Sequence, residues 1–392
     1  MKTTRRHFLS QSLCAAQAST LGRFAVGTSL QSGASLFQSE DFQEGRLLGE
    51  LPFLEEDDVA VGEILGSGLS GRLAVDLAQL TTQSLITPND QFFIRTRSPD
   101  RLDPGTPWKI RVHGRVREAV ELTLPELLAW VEPMGEHLLE CSGNGRRRHF
   151  GLISAARWSG IPIHRVLERA SVLSDSDQVL ISGFDEHSRT DSGSVAGASW
   201  IFSRKQLEGA GAFLATEMNG EVLPRDHGYP VRLMIPGWYG CACIKWVQEI
   251  ELVPESTPAT EPMQEYAGRT QQEGNPQLAR DFQPASIDLT ALPVPVEKWK
   301  VRGAIRYRVV GILWAGEKST DALQIRFNPD MKYISVDEYR QFAHSTWTLW
   351  SHPWRPNSMG RYQIQLRVDD SSIRTRRLDR GYYNRQVEIT EL

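Results

Sequence analysis

The chain has 392 residues, enough for two or three domains with cores of their own. Hydrophobic residues make up 40% and charged residues 23%, values that exclude a disordered, collagenous or polytopic membrane chain. A net charge of −4 points away from a nucleic-acid-binding surface, and four cysteines exclude a disulfide scaffold or a cysteine-rich zinc protein. Only eight of the 44 basic residues are lysine. Genome composition accounts for such a bias, as does binding of planar oxyanions, which the arginine fork suits.

Thr4-Arg5-Arg6-His7-Phe8-Leu9 reads as a twin-arginine export signal, followed by a weakly apolar segment from Leu13 to Ala34 that is too short and polar to span a bilayer. Export of this kind carries folded proteins, so residues 1–34 point to a periplasmic enzyme loaded with its cofactor before crossing. Residues 35–80 are mixed, with the acidic run Glu55–Asp58 read as surface and a helix expected near Gly71–Gln79. Strands are expected at Phe92–Ile94, Ile110–Gly114, Val179–Phe184, Val231–Ile235 and Glu249–Val253, and a short helix at Leu124–Val131. Residues 255–298 have linker composition. From Lys300 onward, short alternating segments at Val301–Leu313, Leu323–Phe327, Thr346–Leu349, Tyr362–Val368 and Gln386–Thr390 predict an all-β sandwich. The fold class expected is α+β, with a mixed domain over 35–284 and an all-β domain over 285–392. Trp347, Trp350, Trp354, Tyr382 and Tyr383 exceed what a small sandwich core needs, so an exposed aromatic face and a homodimer through residues 300–392 are expected.

The most telling local feature is Glu140-Cys141-Ser142-Gly143-Asn144-Gly145-Arg146-Arg147-Arg148. A cysteine after an apolar stretch enters a Gly/Asn turn beside three arginines, whose charge favours thiolate, the form that binds metals. A lone buried cysteine is as often a small apolar packing residue. No second cysteine or histidine stands at zinc spacing, so a single thiolate would need a non-protein group to complete a metal's coordination. Cys241-Ala242-Cys243 is too tight for an ordinary disulfide and reads as loop packing. Around it, His227, Arg232 and Lys245 could line a phosphate-binding loop, although each alone is more often a surface or capping residue.

Together these segments resemble the sulfite oxidase family of molybdopterin enzymes. Leu85–Asn89 with Phe92–Arg95, then Cys141–Asn144, Ile153–Trp158, Glu217–Arg232 and Pro236-Gly237 leading to Lys245-Trp246 run in that family's order. The resemblance implies a molybdopterin-binding domain followed by an immunoglobulin-like dimerisation domain. It implies Cys141 as the protein ligand to molybdenum. Phe93, Arg95, Arg97, Asp185, His227, Arg232, Cys243 and Lys245 would contact the molybdopterin. Arg95, Tyr266, Arg146 and Arg380 would act on the substrate. Gly145 stands as an insertion before the arginines, and Arg97 stands where the family usually has histidine. The implied reaction is oxo transfer to sulfite or a related sulfur compound. The chain has no Cys-x-x-Cys-His haem site and no four-cysteine iron–sulfur site, so electrons would pass to a separate acceptor such as a c-type cytochrome. The alternatives are the molybdenum subunit of a sulfane dehydrogenase and a methionine-repairing reductase, the second disfavoured by the trailing β-domain. From another class comes a cofactor-free module that binds anions or a partner protein.

Overall fold

The structure is a computed structural model that describes residues 42–54, 59–80, 85–103, 105–173, 176–187, 197–340 and 345–392. The export signal, the Leu13–Ala34 segment, the acidic run Glu55–Asp58 and much of the loop after Asp185 lie outside the described residues. Four sheets carry the fold among the described residues. One runs in the order Val120–Thr123, Lys109–Gly114, Val247–Val253, Gln178–Gly183, Ser199–Ser203. Its Lys109–Gly114 strand shows the expected alternation: Ile110 and Val112 are fully buried while Lys109 and Arg111 face water. A second sheet runs Arg232–Met234, Phe213–Met218, Ile153–Pro162, Glu132–Glu140.

The other two sheets are antiparallel and come mainly from the C-terminal third. One is ordered Arg46–Leu51, Thr290–Val301, Ala304–Trp314, Trp347–Trp354, Glu338–Arg340, and the other Ile334–Ser335, Leu323–Arg326, Gly360–Val368, Arg385–Ile389. Two expectations are corrected here. Residues 290–298 are not linker: they belong to a strand whose first eight residues are all buried. Pro293 and Pro295 give that strand its loop-like composition. Each lacks an N–H, and the ladder shifts register between Pro293 and Val296 to accommodate them. In addition, Arg46–Leu51 pairs with this strand, so the C-terminal sheets draw on residues assigned to the first domain.

Helix is sparse among the described residues, in five segments of four to seven residues. The helix after Thr123 forms as Leu124–Leu128, with Pro125 in its first turn and a reciprocal cap between Thr123 and Glu126. The helix expected near Gly71–Gln79 is only a 3₁₀ turn at Leu77–Gln79, and Phe92–Ile94 makes a single bridge from Ile94 to Leu73 rather than a strand. The exposed aromatic face is also corrected. Trp347, Trp350, Trp354 and Tyr383 are each at most 4% exposed, and Tyr382 alone among the five reaches the surface. Trp350 fits because a Cβ on Gly311 would stand 2.1 Å from its ring. These aromatics are core, so they give no support to a dimer interface.

Candidate active site

The strand Glu132–Glu140 delivers Cys141 into a turn that is fixed from both sides. Asn144 N–H donates to the Cys141 carbonyl at 2.9 Å, and the Asn144 side chain donates to Glu140 Oε1 at 3.2 Å and accepts from Leu152 N–H at 3.0 Å. The Cys141 sulfur is buried and accepts a long contact from Gly143 N–H at 3.4 Å. The C-terminal segment completes the clamp. Trp314 Nε1 donates to Glu140 Oε2 at 2.9 Å, Tyr382 Oη to the Asn144 carbonyl at 2.6 Å, and Arg377 Nη2 to the Ser142 carbonyl at 2.7 Å. Glu140 is fully buried, and burial pushes its carboxyl up while Arg377, Trp314 and Asn144 pull it back.

Cys141 opens onto a cavity lined by Phe93, Arg95, Asp185, His227, Arg232, Cys243, Lys245 and Tyr266. His227 stands against Phe92 and donates to the Asn89 carbonyl at 3.1 Å; burial, then Lys245 and Arg232, push its imidazole down to about 3, so it is neutral. Arg232 is buried over the face of Trp158 and donates to the His227 carbonyl at 3.0 Å. Lys245 donates to the carbonyls of Thr96 and Asp226, and burial with Arg232 pulls it down to about 7. Gly228 makes this crowding feasible: at φ +113 it carries no Cβ, which would meet Arg232 Cβ at 2.9 Å and Lys245 Cβ at 3.2 Å. Asp185 accepts from the N–H groups of Gly197 and Ala198 at 3.1 and 3.3 Å and from His187.

A second cleft of about 610 Å³ meets the first at Arg95 and Ser142. Arg72, Arg95, Arg148, Arg269, Arg377 and Arg380 line it, with no carboxylate among the lining residues described. Arg72 donates to the carbonyls of Leu69, Gly71 and Arg95; burial, Arg95 and Arg148 lower it to about 10. Tyr266 ends the helix Glu261–Tyr266 under the Arg269 guanidinium, and burial pushes its hydroxyl up.

Most of the residues chosen from the sequence converge: Cys141, Phe93, Arg95, Asp185, His227, Arg232, Cys243, Lys245 and Tyr266 share one cavity, and Arg380 of the same chain reaches the adjoining cleft. Two do not. Arg146 reaches away to the Asn384 carbonyl at 2.7 Å, and Arg148 lines the cleft instead. The triplet forms a 3₁₀ turn, where residues two apart point in different directions. Arg97 pairs with Asp226 at 3.1 Å and lies outside the cavity lining, so it acts one step back, holding the residue whose carbonyl receives Lys245. Cys243 lines the cavity, and its carbonyl accepts from Arg232 at 3.4 Å. Arg72, Arg269 and Arg377 were not singled out by sequence, because a lone arginine far from any motif resembles any surface arginine; Arg148 entered only as one of the three arginines after Cys141.

Residues 97–261 match the family model for the oxidoreductase molybdopterin-binding domain. Sulfite oxidase of Gallus gallus is 32% identical over 208 residues, covering 49% of this chain and 44% of that protein. Mitochondrial sulfite oxidase of Homo sapiens is 32% identical over 206 residues, covering 48% of this chain and 37% of that one. The matched region thus spans less than half the length of these relatives. In three dimensions the chain is similar to the sulfane dehydrogenase SoxCD from Paracoccus pantotrophus, with a TM-score of 0.59 at 17% identity, covering 92% of this chain and 89% of that one.

The matched domain and the sulfite oxidase relatives imply a molybdenum–molybdopterin cofactor. The cavity fits it. Arg232 Nε is buried with no hydrogen-bond partner among the described residues, and burial, then Arg232, pulls Lys245 down to about 7, so an anion such as the pterin phosphate would satisfy both cations. Cys141 presents one soft sulfur at its edge, the donor type that molybdenum accepts beside a dithiolene. This match removes the cofactor-free reading. The chain therefore carries the oxidoreductase molybdopterin-binding domain over residues 97–261 and is similar to sulfite oxidases.

Proposed function

We propose that this oxidoreductase oxidises sulfite or a related sulfur oxyanion and passes the electrons to a separate acceptor, such as a c-type cytochrome. The observation that carries the reading is the placement of Cys141: its loop lies where the cationic cofactor cavity meets an arginine-lined cleft. When bound, the molybdenum cofactor supplies two-electron oxo transfer. The chain's own residues do the rest. Lys245, Arg232 and His227 hold the pterin and its phosphate, with Phe93, Asp185 and Cys243 along the same wall. Arg95, at the junction of the two clefts, binds the substrate anion and orients its sulfur, which is positioning and electrostatic catalysis. Tyr266, protonated at neutral pH, donates a hydrogen bond from the cavity wall, and Arg380 extends the cationic surface outward.

Two further features belong to this proposal. The pair of antiparallel C-terminal sheets is read as immunoglobulin-like, and the Thr4–Leu9 segment as the signal that sends the loaded enzyme to the periplasm. The second reading, the molybdenum subunit of a sulfane dehydrogenase, is supported by the breadth of the arginine cleft, which exceeds what one sulfite fills. The test is a substrate panel on metal-loaded enzyme with ferricyanide as acceptor. Turnover of sulfite well above thiosulfate supports the first reading, and the reverse order the second. No ferricyanide reduction with any sulfur anion overturns both.

A further inference from the structure

Asp185 is one of two carboxylates among the described residues that line the cofactor cavity, the other being Asp226. Asp226 is engaged by the protein: Arg97 pairs with it at 3.1 Å and Ser98 N–H donates to it at 2.7 Å. Asp185 follows the strand Gln178–Gly183 and has donors of its own. Gly197 and Ala198 N–H reach its Oδ2 at 3.1 and 3.3 Å, and His187 Nε2 donates to its Oδ1 at 2.9 Å. The His187 and Asp185 side chains are only 3% and 6% exposed. A carboxylate so deeply buried needs donors on both oxygens. Among the described residues, His187 is the donor that Oδ1 has.

His187 is fixed from outside the cavity. It is not among the lining residues, and its Nδ1 is buried with no hydrogen-bond partner among the described residues. Nδ1 faces the 3₁₀ turn Gly68–Ser70, where a Cβ on Gly68 would stand 3.2 Å away. The carbonyl of the same Gly68 accepts from Arg97 N–H at 3.0 Å. One turn therefore abuts both Arg97, which holds Asp226, and His187, which holds Asp185. The two carboxylates also act on one cation: burial and Arg232 pull Lys245 down, and Asp226 and Asp185 oppose them.

We infer that His187 is a positioning residue for the molybdopterin. It fixes the Asp185 carboxylate so that its remaining lone pair serves an N–H donor of the cofactor, and it does so from behind the cavity wall. The inference rests on the proposed reading of Asp185 as a residue of the cofactor wall. Two carboxylate oxygens offer about four acceptor sites, and the three donors above leave one. The amino-pyrimidinone edge of a pterin carries N–H groups, the complement of that site. A contact of this kind works only when the group behind it holds the carboxylate in place.

The test is cofactor retention by the full-length metal-loaded enzyme, read as molybdenum and pterin fluorescence remaining with the protein after timed dilution and ultrafiltration. His187→Ala is expected to release cofactor about tenfold faster, the scale of one hydrogen bond to a charged group. His187→Gln, whose amide N–H reaches about as far as Nε2, recovers most of the retention. In an Asp185→Asn background, His187→Ala adds little, because the group it positions is already changed. Wild-type retention in His187→Ala, while Asp185→Asn loses cofactor, overturns the inference and leaves the reading of Asp185 standing. Wild-type retention in Asp185→Asn overturns that reading and the inference with it. A loss in His187→Ala that glutamine does not recover, or that appears in full on top of Asp185→Asn, marks a packing role and overturns the inference as well.

Discussion

Arg377 Nη2 donates to the carbonyl oxygen of Ser142 at 2.7 Å, the residue immediately after Cys141. The same nitrogen donates to the Arg269 carbonyl, and the guanidinium lies over Tyr239 at 4.7 Å and Tyr382 at 5.3 Å. One side chain from the C-terminal segment therefore ties the Cys141 loop to the turn that follows Tyr266. Burial works against the Arg377 charge, but Tyr239, Tyr383 and Glu140 hold it firmly protonated. Both regions it joins face the cavity, yet the matched domain ends at residue 261. Residues beyond that domain thus shape the site.

Arg377→Met is expected to destabilise the fold by about 1–3 kcal/mol, because it leaves the Ser142 and Arg269 carbonyls without their donor and removes a positive charge near buried Glu140. Adding Glu140→Gln should recover part of that loss, since the stranded charge is then gone. Urea denaturation of the two single variants and the double variant checks this. A cost under about 1 kcal/mol for Arg377→Met would show that the pair is not coupled.

How much of this was legible in the sequence follows from locality. Cys141 and its Gly/Asn turn, and the His227–Arg232–Lys245 cluster, could be read because chemistry-bearing residues lie close together in the chain. Lys109–Gly114 was legible from its two-residue alternation. The Thr290–Val301 strand was not, because both of its faces are buried and its prolines mimic a linker. The arginine cleft was hidden for a different reason: Arg72, Arg269 and Arg377 are adjacent only after folding. The expected exposed aromatic face was not found, because a count of aromatics does not say which side of a sheet they occupy.

Arg95→Lys keeps one charge and loses the planar fork, so bidentate contact with an oxyanion is impossible. Binding should weaken by about 1–3 kcal/mol, seen mainly as a raised KM with a smaller fall in kcat. Steady-state kinetics at matched molybdenum content measures it. Unchanged sulfite kinetics would remove Arg95 from substrate recognition.

The neutral, buried His227 makes the cofactor-free protein sensitive to acid. Its folded-state value is about 3, against an ordinary 6.5. The unfolded chain therefore binds the extra proton between those two values. The stability it confers is complete above pH 6.5 and falls as pH drops toward 3, by at most about 1.4 kcal/mol per pH unit. His227→Gln should flatten the dependence of stability on pH across that window. A variant with the wild-type slope would assign the acid sensitivity to other groups.

Cys241→Ser and Cys243→Ser should both keep most activity. Burial pushes the Cys241 thiol up to about 12, so it is not a thiolate, and the Cys243 thiol is raised as well. The Cys243 sulfur meets the Ile235 N–H at 3.5 Å, a contact a serine hydroxyl can take over. Turnover with ferricyanide checks both, and a large loss in Cys241→Ser would bring that sulfur into the chemistry.

On the proposed function, Cys141 is the one protein sulfur on the metal of a sulfur-oxidising enzyme. The direct measurement is molybdenum content together with sulfite-dependent ferricyanide reduction, compared between the wild type and Cys141→Ser. A hydroxyl is a far poorer soft-metal ligand than a thiolate, so the variant should fold and lose turnover, even where the dithiolene and the Lys245 cluster retain cofactor. Turnover near the wild-type rate in Cys141→Ser, at equal molybdenum content, would contradict the assignment.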